Sequence, residues 1–80
     1  GAVLLAQGKL DEAVSHYRRA LEIEPKDAMV FYNLGFALLQ QSKFDEAADC
    51  FRQALQINPD FVEAKHNLEI ALKSKSKNSP

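Results

Sequence analysis

Displaced by 34 residues, the sequence falls back onto itself. GAVLLAQGKLDEAVSHYRRALEIEP at 1–25 aligns with GFALLQQSKFDEAADCFRQALQINP at 35–59, and 13 of the 25 pairs are identical. Gly1/Gly35, Ala13/Ala47, Ala20/Ala54 and Pro25/Pro59 are among them. The register continues past the prolines, where Asn33 matches Asn67, Leu34 matches Leu68, Ala37 matches Ala71 and Leu38 matches Leu72. A fixed period of this length implies a stacked architecture. One supersecondary unit cannot bury its apolar face alone and must bury it against a copy of itself.

Each unit reads as two helices. Phe31, Leu34 and Leu38 recur at the spacing of one helical face, and Phe44, Ala47, Phe51, Ala54 and Leu55 do the same. Pro25 and Pro59 end the second helix of their units. Asp27 and Asp60 stand where an N-cap acceptor is wanted, and the Asp-Glu pairs at 11–12 and 45–46 place negative charge in a helix first turn. Gly8 falls at the expected break between the helices, before a second helix over about Leu10 to Ile23, and Ser42 takes the same place one unit on.

Composition removes several classes of function. A net charge of −1 offers no basic footprint for a phosphate backbone, so nucleic acid is not an expected partner. The single Cys50 has no partner for an internal disulfide, and no His/Cys spacing suits a metal, so no cofactor or metal site is expected. No apolar run reaches the roughly 18 residues that cross a bilayer, and no membrane role is expected. The first residues show no leader pattern, which leaves the compartment open.

Residues Phe31, Leu34, Gly35, Leu38, Phe44, Ala47, Phe51, Ala54 and Pro59, within 28–61, resemble one complete tetratricopeptide repeat. Leu4, Gly8, Leu10, Ala13, Tyr17, Ala20 and Pro25 resemble the later part of another, and Gly1 is the counterpart of Gly35. Residues 62–72 match more weakly, with Lys65 in place of the large aromatic and Glu69 in place of the glycine. The resemblance implies an all-α right-handed superhelix of antiparallel helix pairs. It divides the chain into the C-terminal part of a first repeat (1–27), a complete repeat (28–61), and a capping helix with a disordered Lys/Ser tail (62–80). On the helical arc, Phe61, Ala64, Leu68, Ala71 and Leu72 form the face of that cap.

In this family the first helix of each repeat lines the concave surface. Beside the core stripe of helix 28–41, a second apolar set of Met29, Tyr32, Phe36 and Leu39 spans roughly 80° to 160° from Phe31. Leu5 carries the stripe into the preceding unit, and Ile70 and His66 carry it into the following one. Large aromatics in a shallow groove are typical anchors; the bland alternative is that these residues fill space between successive helices. Asn33 and Asn67, one per unit, resemble the asparagine ladder by which a glycosyltransferase of the family holds peptide backbones. A carboxylate clamp of the co-chaperone kind is not expected, because Ala2, Glu63 and Asn67 stand where an asparagine and two cations belong. No catalytic residue is expected either, since His16 and Cys50 lie one repeat apart and cannot form a nucleophile–base pair.

The function read from the sequence is a protein–protein interaction module whose apolar groove takes a peptide or partner segment with apolar side chains. Two alternatives are a substrate-targeting arm of a larger enzyme such as a glycosyltransferase, and a self-assembling structural element. Self-association, as a homo-oligomer joined through the N-terminal end, is the expectation for a chain that starts inside a helix.

Overall fold

The computed structural model describes the backbone of residues 2–78 and the side chains of 6–76. Four helices follow in order: α1 (Ala2–Ile23), α2 (Ala28–Gln40), α3 (Phe44–Ile57) and α4 (Val62–Asn78). No strand is present among the described residues, and the fold is all-α as the sequence predicts. The Cα extents of 38 × 32 × 17 Å are those of a slab two helices thick, given axes about 10 Å apart. α2 packs on α1 and on α3, and α3 packs on α4, so α2 and α4 meet mainly through α3.

The chemistry of the helix ends explains where α2 starts and stops. Asp27 is its N-cap: the carboxylate oxygen Oδ1 accepts from the amides of Met29 at 3.1 Å and Val30 at 3.3 Å. At the other end Ser42 takes a left-handed φ of 62°. Its amide donates to the carbonyl of Leu39 at 3.0 Å, and the Lys43 amide donates to Leu38 at 2.9 Å. These two bonds make a Schellman cap, which satisfies the last carbonyls and turns the chain back into α3.

α3 supplies the centre of the core. Ala47, Phe51 and Ala54 are each 0% exposed, and Leu38 of α2 is 1% exposed. Gly35 makes this closeness possible, because a Cβ built on it would stand 2.8 Å from the Phe51 ring. Full burial of a ring such as Phe51 contributes roughly 1.5–3 kcal/mol, and close packing around it adds to that.

Four expectations are corrected. First, α1 runs unbroken through Gly8, so the expected turn there and the separate helix from Leu10 do not form. Continuing the helix gains a backbone hydrogen bond at every residue, against a glycine cost of about 1 kcal/mol. Second, Asp11 and Glu12 therefore lie inside α1 and not in a first turn, whereas Asp45 and Glu46 do occupy the first turn of α3. Third, Asp60 does not cap α4. Its amide donates to Asn58 Oδ1 at 3.3 Å in a turn, and Phe61, the true counterpart of Asp27, precedes the helix. Fourth, α4 extends to Asn78 through most of the tail expected to be disordered, and Lys75 pairs with Asp45 of α3 at 2.6 Å; Ser79 and Pro80 lie outside the described residues.

The buried face of α4 is also rotated from the expected arc. Phe61, Ala64 and Ala71 are buried as predicted, but Asn67 is 9% exposed while Leu72 is 42% exposed. Ala64, Asn67 and Ala71 recur at i, i+3 and i+7, and this row forms the seam. The reason lies in α2, which offers Asn67 a hydrogen-bond partner on that side.

Candidate protein-binding surface

α2 and α4 occupy equivalent places in successive units, and between them they carry all but one of the residues singled out from the sequence. The exception, Leu5, lies outside the described side chains. Met29 and Phe36 stand on one line of α2, seven residues and so about 10.5 Å apart along the axis. They are 57% and 44% exposed, while Leu34 and Leu38 on the same helix are buried. Ile70 and His66 on α4 are also exposed. These four are available to a ligand.

Three of the others, Tyr32, Leu39 and Asn67, are engaged with the protein itself. Tyr32 is partly buried, with its ring 5.0 Å from Phe61 and 6.0 Å from Phe51 between centroids, at tilts of 31° and 54°. Its hydroxyl accepts a hydrogen bond from Asn67 Nδ2 at 3.0 Å. The buried Asn67 is thereby tied to α2. Asn33 differs from it: partly exposed, its amide makes no hydrogen bond among the described residues. Leu39 is partly buried and packs on the core. The structure thus separates two asparagines that the sequence register treats as equivalent.

A feature the sequence reading passed over lies at the end of the layer where α1 meets α2 and α3 meets α4. A cleft of about 700 Å³ opens there between Met29 and Val62, rimmed by Glu24, Asp27, Asp60 and Glu63, with Lys26 beside them. Val62 is 66% exposed. The signal was available, because Glu63 lies one period after Met29 and so belongs to the same stripe.

In the opposite layer an ion pair reaches between the helices of successive units. Arg18 of α1 and Glu46 of α3 stand 3.4 Å apart, an exposed pair that contributes little by itself. The free thiol of Cys50 is buried. Burial pushes its pKa from the ordinary 9.0 up to about 11; Arg18 pulls it down, and Asp49 and Glu46 push it up. His16, by contrast, is exposed on α1 with its ring edge-on to Tyr17 at 6.4 Å. Among the described residues no group of three His, Cys, Asp or Glu side chains converges as a metal set, and no helix is long and apolar enough to cross a membrane.

Helix pairs stacked on a 34-residue period define a helical repeat protein. A family model described as TPR repeat matches residues 1–42, and one described as tetratricopeptide repeat matches residues 28–61. The chain belongs to the tetratricopeptide repeat family, whose repeats are in general protein–protein interaction modules. No match to a curated protein was found.

Proposed function

We propose that the chain binds a peptide or an exposed segment of another protein across the layer formed by α2 and α4. Phe36 and Met29 are the apolar anchors, Ile70, Leu39 and Leu5 extend the wall, and His66 and Asn33 offer polar contacts. Tyr32 and Asn67 support this surface from beneath by fixing α4 against α2. In the same reading, residues 28–61 are one whole repeat between the end of another and a closing helix.

One observation carries the proposal: two large apolar side chains are left half in water on a helix whose other face is fully packed. Apolar patches of this kind on an ordered scaffold mark interaction surfaces. The carboxylates near Met29 add selectivity. An acidic tail entering there would be repelled by Glu63 and Glu24, whereas apolar segments flanked by basic residues would not.

The test starts from peptides selected against the immobilised chain from a random library. Selected sequences are expected to be apolar with neutral or basic flanks, and Phe36→Ala and Met29→Ala are each expected to weaken them by more than about 1 kcal/mol. Losses below about 0.5 kcal/mol in both variants, with the helical circular dichroism retained, would reject the assignment.

A further inference from the structure

We infer that the cleft between Met29 and Val62 takes a long cationic side chain, arginine or lysine, of a bound protein segment, with its hydrocarbon stem on those two residues and its charged head at the carboxylate rim. The inference rests on the peptide-binding reading of the α2–α4 layer and names the residue type held at this end of it. Its origin is in the repeat. EPKDAM at 24–29 and NPDFVE at 58–63 are the same inter-helix turn one period apart, and stacking sets the two turns side by side with the cleft of about 700 Å³ between them. Glu24, Asp27, Asp60 and Glu63 line it against the single ammonium of Lys26, a formal surplus of three negative charges among the described residues. The N-termini of α2 and α4, which also end here, offset about half a charge each, so about two remain.

That charge is not used inside the molecule. The ion pairs among the described residues join Arg18 to Glu46, Arg52 to Asp49 and Lys75 to Asp45, and none involves the rim. Asp27 gives Oδ1 to the cap of α2, while the carboxylates of Glu24, Asp60 and Glu63 accept no hydrogen bond among the described residues. Beside them Met29 and Val62 are 57% and 66% exposed. Apolar wall and acidic rim together select the occupant. A metal ion does not suit, because no three of the described acidic side chains converge on one point. A wholly apolar side chain would strip water from the carboxylates and return nothing. Arginine and lysine meet both demands, since their stems cover apolar surface while the head stays at the polar edge.

Amide NMR titration of the whole chain with the blocked peptide acetyl-Ala-Leu-Arg-Leu-Ala-amide tests this, against the same peptide carrying citrulline, which keeps the shape and loses the charge. The arginine peptide is expected to move the amide signals of Met29, Val62 and Glu63 and to bind at least about fivefold tighter than the citrulline peptide, the scale of one or two exposed ion pairs. Equal affinity for the two, or no shift of those signals, overturns the inference. Glu24→Gln combined with Glu63→Gln is expected to erase the preference, and a preference that survives in the folded variant places the cation elsewhere. Val62→Ser alters no charge and is expected to weaken the arginine peptide about twofold or more; unchanged affinity rejects the seat for the stem. Circular dichroism checks that both variants stay helical. The two readings fail separately. If the layer does not bind peptides, Phe36→Ala leaves library-selected peptides unaffected while the arginine peptide still shifts the cleft signals. If the cleft does not hold a cation, Phe36→Ala still weakens the selected peptides and the preference for arginine over citrulline is missing.

Discussion

Asn67 donates from its side-chain amide to the hydroxyl of Tyr32 at 3.0 Å, tying two helices that occupy equivalent places in successive units. The donor is 9% exposed and its partner's ring is packed between Phe51 and Phe61. Tyr32→Phe keeps the ring contacts but leaves the buried amide unpaired, and is expected to cost about 1–3 kcal/mol. Adding Asn67→Leu removes the orphaned group and is expected to recover part of that loss. Urea denaturation of the two variants checks the order.

Gly35→Ala is expected to destabilise the chain by about 1–3 kcal/mol, the usual cost of forcing extra volume into a packed core. The new methyl would meet the Phe51 ring at 2.8 Å, and Phe51 is 0% exposed with no room to withdraw. Thermal unfolding monitored at 222 nm measures the loss; an unchanged midpoint would mean that α2 and α3 can separate without penalty.

Gly8 and Ser42 are register equivalents whose conformations are the reverse of what their side chains favour. Ser42 carries the left-handed φ of 62°, while Gly8 lies inside a continuous helix. Ser42→Gly is expected to stabilise by about 1 kcal/mol, by removing the strain of an L residue in that region. Gly8→Ala is expected to stabilise by about 1 kcal/mol as well, since its Cβ would meet nothing within 4 Å and alanine is the better helix former. The sign for Gly8→Ala tests α1 directly: a loss of stability in chemical denaturation would show a turn there, not a helix.

The buried thiol of Cys50 predicts a pH dependence at the alkaline end. Its pKa is raised from 9.0 to about 11 in the folded chain, so the unfolded chain gives up this proton first. The contribution to stability is complete below about pH 9 and is lost as the pH rises from 9 towards 11, after which the folded thiol ionises too. Denaturation midpoints measured for the wild type and Cys50→Ala should diverge over that interval. At pH 8 a thiol reagent should react slowly with the folded chain and fast in denaturant.

How far the sequence can be read depends on the kind of interaction. The helices over 28–40 and 44–57, the buried row of Ala47, Phe51 and Ala54, and the small residue at Gly35 all follow from spacing and size repeated at a fixed period. The same angular argument places Met29, Phe36 and Ile70 on the second stripe, and all three are exposed. It places Tyr32 with them, and the 34-residue register pairs Asn67 with Asn33, yet Tyr32 and Asn67 are joined to each other between the helices. Periodicity states which way a side chain leaves its helix, but not what meets it from the next helix.

The repeat, its helix pairs and its family are properties of the sequence alone, because they rest on local propensity and on a pattern repeated every 34 residues. Three outcomes needed the tertiary structure. The rotation of α4 that buries Asn67 and exposes Leu72 depends on finding the Tyr32 hydroxyl across the interface. The helical tail carries Lys75 to within 2.6 Å of Asp45 of α3, a contact between residues 30 apart that periodicity does not show. The unbroken α1 depends on whether residues 2–8 gain more by packing back or by running on. Each is a balance between a local preference and a contact distant in sequence. A difference of about 1 kcal/mol decides such a balance, and only packed side chains supply it.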